Sequence, residues 1–392
     1  MSSFKDASSA AATVQPGPLS MSIDELAIHL GGYGRARIAW DCYLLGVDPL
    51  VYFKADQEAD EAIQALLPTG RRSTTLGKDA LQRLADLGGL VDGGIATLSH
   101  VSTSSDKTTK LLLRLGDGLQ VETVIIPWND ERSTLCISSQ VGCRQACTFC
   151  ATGKMGMVRN LTSDEMVAQV FFANRITRLN QLPAITHVVF MGMGEPSDNA
   201  AAVVKTAKQL TTRELFQLSR TKVTISTVAP TPGVFETLAQ ANVMLAWSVH
   251  ASDNVLRNRL VPTTKYTMEE LRQGLIATLQ KRHPTSLRTV MVEMALMAGV
   301  NDRPEDADHL AEFLSPIFSL VPGAKLAVNL IPFNDIGHGS TFRTPTQDAV
   351  IAFQQRLWKH GIAAFVRATR GDDESAACGQ LATSKKKKLI FL

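Results

Sequence analysis

Three cysteines lie close together in the sequence with the spacing C-x3-C-x2-C. They are Cys143, Cys147 and Cys150, and the aromatic Phe149 precedes the last of them. A closed zinc site requires four protein ligands, whereas three thiolates suit a [4Fe–4S] cluster that keeps one iron open. An open iron can bind a small molecule and pass it an electron. The spacing favours this cluster over two alternatives, a zinc site completed by a distant histidine and a set of buried structural cysteines.

The remaining cysteines are spread along the chain. Cys136 is the fourth cysteine within 15 residues, while Cys42 and Cys378 stand alone. Six cysteines in 392 residues are too few for a secreted disulfide scaffold, so the clustering indicates metal or redox chemistry inside a reducing cell. Taken alone, Cys136 and Cys378 are each typical of an inert buried thiol.

Further polar residues follow short apolar runs. Gly194 and Glu195 come after one such run, and a glycine there allows close backbone approach while a carboxylate can bind an ammonium group. Glu122 lies within the apolar run 121–126, where a carboxylate usually faces solvent. The other candidates are capping or turn residues as readily as ligands when taken singly. They are Ser226, Ser248, Val249, His250 and Asn334.

Strands and helices alternate from Cys136 onward, which predicts an α/β fold with a parallel sheet, open or curled into a partial barrel. The side chains above then gather where the strands end, since loops after parallel strands meet at one face. The predicted strands are 135–138, 187–190, 222–226, 244–248, 289–293, 326–331 and 363–370. The predicted helices are 163–177, 200–213, 267–281, 305–314 and 346–360.

The rest of the chain divides by composition and pattern. Five segments are predicted: a flexible leader (1–20), a small helical domain (21–92), a β segment (93–128), the barrel (129–382) and a basic tail (383–392). An organelle transit peptide is a less favoured interpretation of the leader.

The net charge of +3 is close to neutral, so overall charge does not indicate a nucleic-acid-binding protein. The run Lys385–Lys388 is either a solvated tail or an RNA contact. No apolar stretch approaches about 18 residues, and a membrane-spanning helix is not expected.

The cysteine motif resembles the radical S-adenosylmethionine (SAM) signature, and the resemblance extends to one family within that superfamily. From residue 121 to 382 the chain is similar to the RlmN/Cfr-type RNA adenine methyltransferases. The N-terminal third matches less well, because Ile38 stands where the family's helical motif usually has glutamine. The motifs that carry the resemblance are 121–127, 136–143, 191–196, 223–227, 248–251, 331–334 and 370–381.

The resemblance implies a radical SAM partial (β/α)6 barrel with a small helical N-terminal domain and a short β extension. It implies methylation of adenine carbon 2 in 23S-type rRNA, with tRNA as a second substrate. Cys378 would carry the methyl group, Cys136 would release the product through a transient disulfide, and Glu122 would act as general base. Two SAM molecules would be used per turnover, with contacts from Gly194, Glu195, Ser226, Ser248, Val249, His250 and Asn334. The [4Fe–4S] ligands would be Cys143, Cys147 and Cys150.

Other functions stay open at this stage. One is methylation of carbon 8 of the same adenine; another is a radical SAM activase that acts on a protein, against which Cys136 and Cys378 argue. A third is an iron–sulfur RNA-binding or assembly factor without methyl transfer. The expected partners are RNA and an electron donor such as flavodoxin or ferredoxin, with no membrane. We expect a monomer in the cytoplasm, or in an organelle if the leader is a transit peptide.

Overall fold

One ten-stranded sheet organises the computed structural model, which describes residues 17–54, 76–88, 94–129, 131–337 and 340–383. In their order across the sheet, the strands are β1 Ala96–Thr103, β2 Thr109–Leu115, β3 Gln120–Trp128, β4 Arg132–Cys136, β7 Ile185–Phe190, β8 Val223–Thr227, β9 Met244–Ser248, β10 Thr289–Leu296, β11 Lys325–Pro332 and β12 Ala363–Val366. Strands β5 Gln140–Gly142 and β6 Met157–Asn160 form a small separate sheet.

The large sheet has two parts that differ in strand direction. Strands β1 to β4 pair antiparallel, and from β4 to β12 every pairing is parallel. The predicted β segment (93–128) contains β1 to β3, and the predicted barrel segment (129–382) contains β4 and all the strands that follow it. Because β3 hydrogen-bonds to β4, the two segments form one continuous sheet.

Helices connect the parallel strands, as the α/β prediction requires. Several begin at a capping residue that the sequence shows: Thr162 and Thr267 each accept a hydrogen bond from the glutamate backbone three residues later. The helices after β4 are Ala151–Met155, Ser163–Leu179, Ala200–Thr211, Val234–Ala239, Asn254–Leu260, Met268–Lys281, Pro304–Leu320 and Gln347–Lys359. No helix of the described ranges has the length and apolar character that a membrane crossing requires.

The N-terminal helices pack directly on the barrel. They are Ile23–Leu30, Tyr33–Leu44, Pro49–Lys54 and Lys78–Asp86. Trp40 is fully buried and makes edge-to-face contacts with Tyr43 and with Phe216, which lies beyond β7. The helical region and the first half of the barrel therefore share one apolar core.

The predicted fold class is confirmed, and two boundaries need correction. The predicted leader extends to residue 20, but Leu19 is fully buried and the Ser20 amide donates to the Asp164 carboxylate at 2.8 Å. The strand predicted over 363–370 ends at Val366. The Lys385–Lys388 run lies outside the described residues.

Candidate active site

A cavity of about 1340 Å³, counted with its open mouth, lies at the carboxyl ends of the parallel strands. Almost every residue that the sequence predicted to be functional lines it. These residues are Cys136, Cys143, Cys147, Cys150, Gly194, Glu195, Ser226, Ser248, His250, Asn334 and Cys378. The convergence of strand ends that the alternating pattern predicted is therefore present.

Two predicted residues do not line this cavity. Val249 is fully buried, and its contribution is a backbone carbonyl that accepts a hydrogen bond from Arg257 at 2.6 Å. Glu122 is buried rather than solvent-facing, and its carboxylate lies 3.4 Å from the Lys110 ammonium. The second Glu122 oxygen accepts a 2.9 Å hydrogen bond from the Ala382 amide.

The small sheet of β5 and β6 braces the loop that carries the cysteine motif. Gly142 ends β5 with a φ of +75°, and a side chain there would meet the Gly156 carbonyl oxygen at 1.8 Å. Glycine is thus required for the two strands to approach. The Cys143 amide donates to the same Gly156 carbonyl at 3.0 Å, which fixes where the loop begins.

The three motif cysteines share one wall of the cavity. Burial raises the pKa of Cys143 to about 12 and also raises that of Cys147; in both cases a negative charge on Cys150 raises it further. The bare thiols of Cys143 and Cys147 are consequently neutral, and a metal would be needed to hold these two as thiolates. Among the described residues, no three Cys, His, Asp or Glu side chains converge at the spacing of a single metal ion. The donor set, three thiols on one wall, fits an iron–sulfur cluster.

Glu195 is the carboxylate that the motif after β7 delivers to the cavity. It is 3% exposed, and its oxygens accept hydrogen bonds from the Thr227 hydroxyl at 2.6 Å and the Val228 amide at 3.0 Å. Burial raises the pKa of Glu195, and these hydrogen bonds oppose the rise. The carboxylate is held rigidly by the end of β8, in position to accept a cationic group.

Gly194 allows the backbone to turn toward the cavity. Its φ is +103°, and a Cβ atom there would lie 2.6 Å from the Cβ of Gln140. The Gln140 side chain in turn accepts a 2.8 Å hydrogen bond from the Glu195 amide. The predicted requirement for a glycine beside Glu195 therefore has a steric cause.

Hydroxyl and imidazole groups line the wall formed by β8 and β9. The Ser226 and Ser248 hydroxyls are 3.1 Å apart. His250 has a φ of +58°, and its Nδ1 accepts a 3.1 Å hydrogen bond from the Ala295 amide. Burial, with the nearby positive charge of Arg257, lowers the pKa of His250 well below its usual value. The ring is neutral with its proton on Nε2, so His250 is a hydrogen-bond donor.

The loop that carries Cys378 is fastened from three directions. Asn334, predicted to contact SAM, donates to the Cys378 carbonyl at 3.0 Å. The Ala151 amide, directly after the cysteine motif, donates to the Gly379 carbonyl at 2.8 Å. From β2, Lys110 donates to the Ser375 carbonyl at 3.0 Å, while the Ser104 hydroxyl after β1 bonds to Asp373. The β extension thus helps to position Cys378.

Cys378 and Cys136 both line the cavity and interact electrostatically. Cys378 is exposed to the cavity interior. Enclosure by the surrounding protein raises the pKa of Cys378 to about 11, and Arg367 opposes the rise. Burial raises the pKa of Cys136 to about 12, and a charge on Cys378 raises it further. Both sulfurs are neutral thiols near neutral pH, and ionising one makes ionising the other harder.

Sequence reasoning missed two charged residues of the cavity wall. Arg367 follows β12, and Glu293 lies on β10 in register with Ser248 of β9. One Glu293 oxygen accepts a 2.9 Å hydrogen bond from Asn329, and its other oxygen is buried without a hydrogen-bond partner. The signal for Glu293 was an isolated acid in an apolar strand, the same pattern that singled out Glu122.

Comparison with known proteins agrees with this geometry. The family model described as the Radical SAM superfamily matches residues 137–314. The Dual-specificity RNA methyltransferase RlmN of Geotalea uraniireducens (strain Rf4) is 40% identical over 363 residues, which is 92% of this chain and 95% of the relative. The Ribosomal RNA large subunit methyltransferase N of Nitrosopumilus maritimus (strain SCM1) is 39% identical, covering 75% of this chain and 82% of the relative.

A solved structure is similar over almost the whole fold. The radical SAM methyltransferase from Sphaerobacter thermophilus superposes with a TM-score of 0.76 at 33% sequence identity. The match covers 93% of this chain and 98% of that protein. The helical N-terminal region and the β extension are thus shared features of the two structures.

Proposed function

The chain belongs to the RlmN family of radical SAM RNA methyltransferases, and on this premise we propose that it methylates carbon 2 of an adenine in rRNA and tRNA. The reaction uses Cys378 as methyl carrier and Cys136 as the thiol that releases the product. The observation that carries the proposal is that one cavity is lined by both of these cysteines, the three motif cysteines and Glu195.

The motif cysteines Cys143, Cys147 and Cys150 would hold a [4Fe–4S] cluster. When bound, the cluster supplies the electron that cleaves SAM and generates a 5′-deoxyadenosyl radical; flavodoxin or ferredoxin would be the electron donor. Glu195 accepts the ammonium of the SAM methionine, because it is the carboxylate that the loop after β7 presents to this wall. His250, which lines the same cavity, can donate a hydrogen bond to SAM from Nε2.

Cys378 acts first, as a nucleophile. Its sulfur attacks the methyl carbon of one SAM, the bond from that methyl to the sulfonium breaks, S-adenosylhomocysteine leaves, and the thiol proton passes to solvent. A pKa of about 11 makes the resting thiol a poor nucleophile, so the positive sulfonium of SAM and the nearby Arg367 are needed to favour the thiolate. The 5′-deoxyadenosyl radical from a second SAM then takes one hydrogen atom from the S-methyl group, which gives 5′-deoxyadenosine and leaves a carbon radical on Cys378.

Cys136 acts last. The carbon radical on Cys378 adds to adenine carbon 2. The adduct radical then gives up one electron, for which the oxidised cluster held by the motif cysteines would be the acceptor, and a base removes the proton from carbon 2. We retain Glu122 as that base; it lies on β3 outside the cavity lining, held beside the Cys378 loop by the Lys110 ammonium and the Ala382 amide. The Cys136 thiol then gives up its proton and its sulfur attacks the Cys378 sulfur. The bond from Cys378 to the transferred carbon breaks, that carbon takes up a proton to become the methyl group, and a disulfide remains.

The two cysteines act at different steps, and this gives a decisive experiment. We expect Cys136→Ala, expressed in cells, to accumulate a covalent RNA adduct on Cys378, because the methyl is still loaded and still added. Cys378→Ala should be inactive and free of RNA. Cys42→Ala is the matched control, since Cys42 is fully buried away from the cavity and should not affect turnover.

The assay is RNase trimming followed by mass spectrometry of the peptide that contains residue 378. Normal turnover by Cys136→Ala without an adduct would refute the two-cysteine mechanism. Mass spectrometry of rRNA and tRNA from cells with and without the gene identifies the product. Loss of 8-methyladenosine instead of 2-methyladenosine would replace the proposed product with carbon 8 methylation.

A further inference from the structure

Asp198 joins the motif loop (residues 143–150) to the turn after β7 that carries Glu195. Its carboxylate accepts two hydrogen bonds from the Arg144 guanidinium, at 2.8 Å and 2.5 Å, and a third from the Gln145 side chain at 2.9 Å. Arg144 and Gln145 directly follow the first motif cysteine, and Asp198 lies three residues after Glu195. The carboxylate therefore bridges the two parts of the site that the proposed function assigns to the cluster and to SAM.

The Asp198 carboxylate is enclosed, although Arg144 reaches it from the surface. The Asp198 side chain is 5% exposed and the Arg144 side chain 61% exposed, while Gln145 is buried and lines the cavity. An isolated surface ion pair usually contributes little. Here both prongs of a guanidinium and a buried amide meet one carboxylate, an arrangement that fixes geometry as well as charge.

The motif loop contains a backbone conformation that needs support. Ala146 has a φ of +51°, and a non-glycine residue in this region persists only where its surroundings hold it. The residue before it, Gln145, is held from two sides. Its side-chain nitrogen donates to Asp198, and its side-chain oxygen accepts a hydrogen bond from the Thr263 hydroxyl. Asp198 thus helps to hold the loop in its strained shape.

The other end of the link is fixed to Glu195 through the backbone and through a side-chain route. The Asp198 amide donates to the Glu195 carbonyl at 3.0 Å, and the Ser197 amide donates to the Glu195 carboxylate at 3.0 Å. The Asn160 side chain donates to the Asp198 carbonyl at 3.1 Å and accepts from Gln140 at 2.7 Å. Gln140 in turn accepts from the Glu195 amide. A displacement of Asp198 would therefore displace Glu195.

We propose that Asp198 is a positioning residue that sets the separation between the iron–sulfur cluster and Glu195. The inference rests on the proposed function for the presence of the cluster and of SAM. Asp198 is not part of the cavity lining, so it acts through the motif loop and the Glu195 turn. SAM must contact the open iron and Glu195 at the same time, and a fixed separation lets it bind without first ordering the site.

The test measures SAM affinity of Asp198→Ala in the full-length, anaerobically reconstituted protein. Calorimetric titration with SAM gives the affinity, and iron content is measured in the same samples. We expect Asp198→Ala to keep its iron and to bind SAM about tenfold more weakly, a loss typical of removing an outer-shell partner. Hydrogen exchange of the peptide 143–150 in cluster-free protein is the second readout, and it should be faster in this variant.

Arg144→Ala completes a double-mutant cycle with Asp198→Ala. If Arg144 acts through Asp198, the double variant should bind SAM no more weakly than Asp198→Ala alone. If the two residues contribute independently, their separate losses of affinity multiply in the double variant. The cycle therefore distinguishes a link from two unrelated surface charges.

Asp308→Ala is the matched control. Asp308 likewise accepts two hydrogen bonds from one guanidinium, that of Arg356, both at 2.6 Å, and a third from His360 at 2.7 Å. It joins the helices Pro304–Leu320 and Gln347–Lys359 and does not line the cavity. This variant loses the same number of hydrogen bonds and should leave both the SAM affinity and the exchange of 143–150 unchanged.

Several outcomes overturn the inference. It fails if iron-loaded Asp198→Ala binds SAM as tightly as the parent, if its motif loop exchanges at the parent's rate, or if the losses in the cycle multiply. If Asp198→Ala loses its iron, Arg144→Ala decides, because it leaves the Gln145 contact in place. Full iron with weaker SAM binding then supports the link; unchanged SAM binding, or loss of iron in this variant too, refutes it. A parent protein that takes up no iron refutes the proposed function itself.

Discussion

Replacing Gly194 with alanine tests the link between backbone geometry and the SAM site. A non-glycine residue at φ +103° costs about 1–3 kcal/mol. The new Cβ would also lie 2.6 Å from the Gln140 Cβ and 2.8 Å from its backbone nitrogen, so Gln140 must move. Moving it breaks the 2.8 Å hydrogen bond from the Glu195 amide, which contributes about 1 kcal/mol.

We therefore expect Gly194→Ala to lower the free energy of unfolding by about 2–4 kcal/mol and to weaken SAM binding through displaced Glu195. Equilibrium urea unfolding measures the first effect and calorimetric titration with SAM the second. Two glycines provide controls. Gly361 has a φ of +73°, and a Cβ added there would have no other atom within 4 Å, so its alanine variant reports strain alone.

Gly233 has neither a positive φ nor a close neighbour, and its alanine variant should change stability by no more than about 1 kcal/mol. The three variants thus separate strain from steric contact. Equal losses for Gly194→Ala and Gly361→Ala would refute the steric argument. A destabilised Gly194→Ala that binds SAM as tightly as the parent would refute the coupling to Glu195.

Three further predictions follow from the site. Anaerobic reconstitution should load about four irons per chain, and alanine at Cys143, Cys147 or Cys150 should abolish loading; stoichiometric zinc without iron would contradict the cluster. In cluster-free protein, alkylation of Cys378 by iodoacetamide should rise about tenfold per pH unit up to its pKa of about 11, because only the thiolate reacts. A plateau above about pH 9, as for an ordinary thiol, would contradict that pKa. RNA binding should weaken with salt, and deleting Lys385–Lys388 should reduce the slope; binding indifferent to salt would count against basic contacts.

The parts of the site that sequence reasoning predicted are those encoded locally. The cysteine motif and the Gly194-Glu195 turn need only their own neighbours in the chain and the strand before them. The β/α alternation then places Ser226, Ser248 and Asn334 at one face, since parallel strands end together. Fold class and cavity composition were therefore accessible without a structure.

The parts that were missed depend on distant partners. The composition around Leu19 and Ser20 does not distinguish them from a leader, but Ser20 is held by Asp164, which lies 144 residues away. Arg257 carries no motif of its own, and its hydrogen bonds are to carbonyls from two other loops. Glu122 lies two residues before the cavity-lining Val124 and so shares its face of β3, yet its actual partners, Lys110 and Ala382, could not be inferred from that spacing.

The hydrogen bonds between the β extension and the Cys378 loop affect the order in which the parts of the protein fold. Ser104 and Asp373, which form one of these bonds, are separated by 269 residues, and Lys110 and Ser375 by 265. Contacts this remote in sequence form late, since loop closure must precede them and the C-terminal partner is synthesised last. A chain still emerging from the ribosome can fold the motif loop and most of the barrel before the Cys378 loop is held in position. The enzyme would thus acquire its nucleophile only on completion, after the rest of its cavity is built.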